Sequence, residues 1–357
     1  MRISFLIYGC VLIFTIILMA NVLLLAPVSA EPKNASSFQI EFYRDLGKYK
    51  RVNEATSTPD GRLLACVCQE TEAASTILIF DLPHKHLVSR ISLPHLVSSL
   101  VFAPNGQTLA FVAENYYPDR VGYSTRNFRI VLWSVHRHRV NRVLRRFPTD
   151  GDGLAFSSDG KLLLAGDSLN GTVGGQVIQV YSTSNWKLIK KLRGFTYGHL
   201  EDVAISTDKR QIAAITVAGE TNQGELTVWN WPSGTTALSA SDTDDSNNIH
   251  PPLFWCDNRN LLCGESYINM RRGWRYKMRR LTTLNGYQCV GRYSDTSILV
   301  TMRADTLTLG RWNTISNQID RTWSGSNYNA NVLHYVPRHS LVLVQGIHGS
   351  LSLLRLR

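Results

Sequence analysis

Two His-x-His pairs, His84/His86 and His136/His138, are the side chains in this 357-residue chain whose spacing best fits a metal clamp. Imidazoles two apart on a strand share a face and can reach one ion. Both pairs fall in turns, with no Cys or carboxylate read alongside them. They therefore read as exposed polar turns, and no metal ligand or cofactor is assigned. Asp242-Thr243-Asp244-Asp245 offers oxygens of the kind hard cations take, but the further ligands and the Gly of an EF-hand loop are missing, so a flexible loop is expected. Residues 171–175 are Gly-rich without the following helix that a phosphate site needs. No Gly-x-Ser-x-Gly, His-Glu-x-x-His or Walker-type loop occurs, and no catalytic residue is assigned.

Of six Cys, Cys10 lies in an apolar leader, and Cys66, Cys68, Cys256, Cys263 and Cys289 make an odd remainder without zinc-type spacing. Cys66 and Cys68 fall on one strand face, a poor geometry for a disulfide. Cys256 and Cys263 flank a hairpin turn and are the best pair, set against the favoured reading of all five as small buried hydrophobes. Asn34-Ala35-Ser36 and Asn170-Gly171-Thr172 are glycosylation sequons that matter only in a eukaryotic secretory route.

The elements that must hold these residues repeat. An apolar strand, a tight polar turn and a second apolar strand recur seven times. The turns are Thr58-Pro59-Asp60-Gly61, Ala103-Pro104-Asn105-Gly106, Ser157-Ser158-Asp159-Gly160 and Ser206-Thr207-Asp208-Lys209, with weaker copies at 255–258, 293–296 and 336–339. Pro presets the first bend, and Asp, Asn and Gly tolerate the next. A third strand ends in an aromatic and a small polar residue, as in Phe80-Asp81, Trp133-Ser134, Tyr181-Ser182, Trp229-Asn230 and Trp312-Asn313. A fourth follows at 86–93, 139–147, 186–192 and 318–323. Four strands per copy and a period of about 40–50 residues predict an all-β, seven-bladed β-propeller of four-stranded antiparallel blades. The fifth copy is irregular, with 274–283 read as its third strand, so six or eight blades stay open. The last copy ends one strand short, and 38–43 alternates without a partner, so this N-terminal strand is expected to close the ring.

The aromatic-polar strand endings resemble the Trp-Asp dipeptide of WD-repeat propellers, and Gly198-His199 resembles that family's Gly-His element. The likeness covers roughly residues 38–357. No Trp-Asp dipeptide occurs, and Gly-His occurs once, so the chain resembles a divergent member. The resemblance implies that loops joining strands b to c and d to the next a share one face. Three b–c loops are long, at 114–128, 167–176 and 219–225. Tyr and Arg are enriched in binding surfaces. Tyr116, Tyr117, Arg120, Tyr123 and Arg126, with Phe195, Tyr197 and Arg272, are expected to form a partner-binding patch; the alternative is a solvated loop over the channel mouth.

Residues 3–26 carry no charge and exceed the roughly 20 needed to span a bilayer as a helix. Arg2 sets the cytoplasmic end. Val28-Ser29-Ala30 resembles a signal-peptidase site, so residues 1–30 are either a cleaved leader or a retained anchor, followed by a linker at 31–37 and the propeller at 38–357. Both place the propeller outside the cytoplasm, as a membrane-anchored or secreted protein. Net charge is +11, spread over many strands and turns; an exported location makes nucleic acid an improbable partner, and leaves simple solubility as the favoured explanation. The expected function is a non-catalytic protein–protein interaction scaffold. The alternatives are a lactonase-like hydrolase or an oxidoreductase working in the channel, and a binder of acidic glycans or lipid headgroups.

Overall fold

The computed structural model describes residues 36–357 apart from 38–39, 72–73, 119–123, 148–152, 169–175, 197, 219–222, 242–248, 265, 271–276, 281–286, 295–296, 303–306, 317, 326–329 and 347–348. Apart from one 3-10 turn at Pro337–His339, the regular elements among these residues are strands. They form seven sheets, spanning 51–93, 96–147, 154–192, 199–241, 253–280, 287–325 and a last one of Ala330–Val336, Leu341–Gly346, Ser350–Leu356 and the N-terminal strand Ile40–Lys48. Each sheet holds four antiparallel strands, a to d from the inside outwards, and the a strands of six of the neighbouring pairs of sheets adjoin. This is a seven-bladed β-propeller. Ser36–Ser37 adds a short parallel strand to the outer edge of the sixth blade.

The closing strand is found where its alternation placed it, and it runs further. Its ladder extends from Ile40↔Leu356 to Lys48↔Ser350 with two bulges, and Arg357 pairs with Glu41 at 2.6 Å. The leader at 1–30 lies outside the described residues. Among those described, no helix is long and apolar enough to cross a membrane.

Burial explains why the b and c strands are so apolar. Both of their faces pack against neighbouring blades, so alternation gives way to continuous Val, Ile and Leu. In the first blade Leu64, Cys66 and Leu78 face Leu341, Leu343 and Leu353 of the seventh. Ala65, Val67, Ile77 and Ile79 point the other way, onto Phe102, Leu109 and Phe111 of the second. Cys66, Cys68, Cys256 and Cys263 are buried thiols. A hydrogen bond with Cys68, together with burial, holds the Cys66 thiol well above its ordinary range. Burial, with Asp257 adjacent, pushes Cys256 up to about 12.

Three a–b turns repeat one set of bonds. Thr58 Oγ1 donates to Asp60 Oδ1 at 2.5 Å, Ser157 Oγ to Asp159 at 2.7 Å, and Ser206 Oγ to Asp208 at 2.7 Å. The same carboxylate oxygens accept from the amides of Arg62, Lys161 and Arg210, and the hydroxyls accept from those of Leu63, Leu162 and Gln211. The turns of the third and fourth blades also grip the next one. Ser158 Oγ donates to Thr207 O at 3.0 Å, Lys209 reaches Asp159 at 2.6 Å, and the Asp208 amide donates to Asn258 at 2.9 Å. A Cβ on Gly61 would meet His339 of the seventh blade, and one on Gly106 would meet Thr58, so both turns need glycine for close approach as well as for φ near +70°.

The fifth blade differs from expectation. Its c strand is Ser266–Asn269, and Lys277–Arg280 is its fourth strand, paired with 266–269, whereas 274–283 had been read as the third. Its first three strands have only three or four residues each, too few to show a period.

Candidate partner-binding site on the second blade

The segment read as a long loop at 114–128 is largely a ladder. Strands Thr108–Pro118 and Ser124–Ser134 pair without interruption through eleven positions, from Thr108↔Ser134 to Pro118↔Ser124. The matching pairs of the third and fourth blades have seven. Four further rungs at about 3.3 Å each carry this hairpin about 13 Å beyond those two, and the first blade's ladder, with eight pairs, lies between. Tyr, Thr and Phe favour extended backbone, and Pro118, lacking an N–H, stands where the ladder stops. Position 116 is paired with 126, and 117 with Thr125, so Tyr116 and Arg126 occupy directly opposed positions of the ladder. Arg120, Tyr123, Tyr197 and Arg272 lie outside the described residues, as do Asn170, 171–175 and Asp242–Asp245.

Phe195 does not join this patch. It is 4% exposed and packs edge-on to Trp229 at 5.5 Å, between the third and fourth blades. The d–a connection around it is pinned: Trp229 Nε1 donates to Arg193 O at 2.9 Å, and the Thr196 amide donates to Glu225 at 2.8 Å. An aromatic in a polar connection is compatible with either a contact surface or a plug, and here it is a plug.

The inner strands carry a second set of polar residues that spacing alone did not reveal. Five of them bulge at the same place, and the residue past each bulge is Glu54, Ser99, Asp202, Gly291 or His334. Three of these reach the next blade's inner strand. Glu54 accepts from the Leu100 amide at 3.2 Å, Asp202 from the Leu253 amide at 2.9 Å, and His334 Nε2 lies 2.9 Å from Ser57 Oγ. Burial raises Asp202 to about 6 against the pull of the Leu253 and Val203 amides, and lowers His334 to about 4. The Ser57–His334 contact looks like a nucleophile and its base, but it occupies the position of two seam bonds that join blades.

The His pairs prove inequivalent. His136 lies 3.3 Å from Ser134 Oγ, whereas His84 and His86 flank Asp81, a carboxylate the spacing argument had overlooked. No protein-family model matches this chain, and no curated protein matches it.

Proposed function

We propose that this propeller is a non-catalytic interaction scaffold, a divergent relative of the WD-repeat proteins, that presents its second-blade hairpin to a protein partner. The extended ladder carries this reading. It adds strand where the fold does not require it, and it carries Tyr and Arg positions on a ladder with more rungs than those of the first, third or fourth blade. The opposite face supports the same reading, because its a–b turns are engaged with one another. A rigid ring lowers the ordering cost of binding. Residues 3–26 are assigned to export or tethering, which would raise the effective concentration of a membrane partner.

Crosslinking in the native membrane, followed by mass spectrometry, tests the proposal. Reproducible links from residues 114–128 to one protein are expected, and Ala at Tyr116, Tyr117 and Arg120 together should remove them. Unchanged capture by that variant would overturn the assignment. Affinity falling steeply with salt, with no protein partner, would instead favour acidic glycans or lipid headgroups.

A further inference from the structure

Asp81 ends the c strand of the first blade, and His86 opens its d strand directly opposite, so the ladder itself pairs a carboxylate with an imidazole. The intervening turn carries Pro83, and Lys85 at φ 54° lets the chain reverse within four residues. His84 is thereby folded back onto Asp81, its amide 3.0 Å and its Nδ1 2.9 Å from Oδ1. The two imidazole rings lie 6.0 Å apart at 61°. One donor atom from each of Asp81, His84 and His86 falls within 4.8 Å of the others. Donors on one ion with bonds of about 2.0–2.1 Å stand about 3 Å apart, so small side-chain rotations would close this set.

We propose that Asp81, His84 and His86 form an open three-ligand site for a borderline divalent transition metal, with zinc as the probe. Two imidazoles and one carboxylate suit zinc, copper or nickel better than calcium or magnesium, and three protein ligands leave a position for water or a partner's side chain. The site is built for access from outside: the Asp81 side chain is 4% exposed, whereas that of His84 is 68% exposed. Arg62 Nε lies 3.4 Å from Asp81 Oδ2 and is the competing cation, on a side chain 62% exposed and free to swing away. The second His-x-His supplies an internal control. It sits one position out of phase, so Arg139 and Ser134 take the places of His86 and Asp81.

The turn also touches the closing strand. Tyr43 donates to Leu82 O at 3.4 Å, and the Lys85 ammonium lies 4.7 Å over the Tyr43 ring. An ion that fixed the turn would therefore also brace the contact between the first blade and the strand that completes the seventh.

The full chain, stripped with a chelator, would be titrated calorimetrically with zinc chloride. One site per chain is expected, weakened at least about tenfold by His84→Ala or His86→Ala and unchanged by His136→Ala with His138→Ala. Both first-blade histidines are exposed, and circular dichroism would confirm that each variant keeps its strands. Absence of saturable binding, or binding indifferent to His84 and His86, would overturn the site.

Discussion

Asp202 and His334 hold the same place in their blades, one residue past the inner-strand bulge, and burial moves them in opposite directions. A histidine lowered to about 4 stabilises the fold fully above its ordinary 6.5, and that contribution is lost as pH falls through 4. An aspartate raised to about 6 stabilises it below 3.8, and that contribution is lost as pH rises through 6. The two therefore oppose each other across the same window. His334→Asn removes only the first, so the urea midpoint of the native chain should gain on that of the variant as pH rises from about 4 to 6.5. A constant difference would show that His334 titrates normally. Asp60 and Asp159 act lower down. The Thr58 hydroxyl holds the first below its ordinary value, and Lys209 with Ser157 holds the second there, so their contribution disappears as pH falls below 3.8. Phe195→Ala should cost about 3–5 kcal/mol in denaturant unfolding and leave crosslinks at 114–128 in place. The sequence reading puts Phe195 in the partner patch, because nothing adjacent to it in the chain tells whether it faces a partner or the core. That depends on Trp229, 34 residues later.

At the scale of elements, legibility followed length. The d strands at 86–93 and 139–147 were readable to the residue, because eight or nine residues between clear turn signals leave one solution. The fifth blade was misread where strands shrink to three or four residues, and 114–128 was read as loop because Pro118 and Gly122 signal a turn. Pairing across the ladder overrides that local signal. Replacing 115–127 with Asn-Gly should leave the thermal midpoint within about 3 °C, because the extra rungs lie beyond the blade's core, while removing the partner crosslinks. A collapse of stability would instead make the hairpin part of the core.

For the whole molecule, the ring matters more than any one blade. Removing Ile40–Lys48 would leave Ser350–Leu356 as an open edge, and such edges recruit other chains. Size-exclusion chromatography with light scattering should show oligomers or aggregates for that deletion and a single species for the full chain. The buried thiols give an independent reading of closure. Cys66, Cys68, Cys256 and Cys263 should resist a thiol reagent until denaturant opens the ring, and rapid modification of any of them would point to a loose seam. Seven blades, and the strand that completes the last, were predictable because each repeat carries its own turn chemistry. The seam bonds were not, since their partners come from different repeats. Closure also has a cost in time. Ile40 pairs with Leu356, so this strand waits on the ribosome for one made about 316 residues later. At about 5–20 residues per second that delay is roughly 15–60 s, during which six blades can form beside a seventh that has no outer strand. Moving the termini into the turn between two blades would let every sheet complete from neighbouring sequence and should shorten that vulnerable interval.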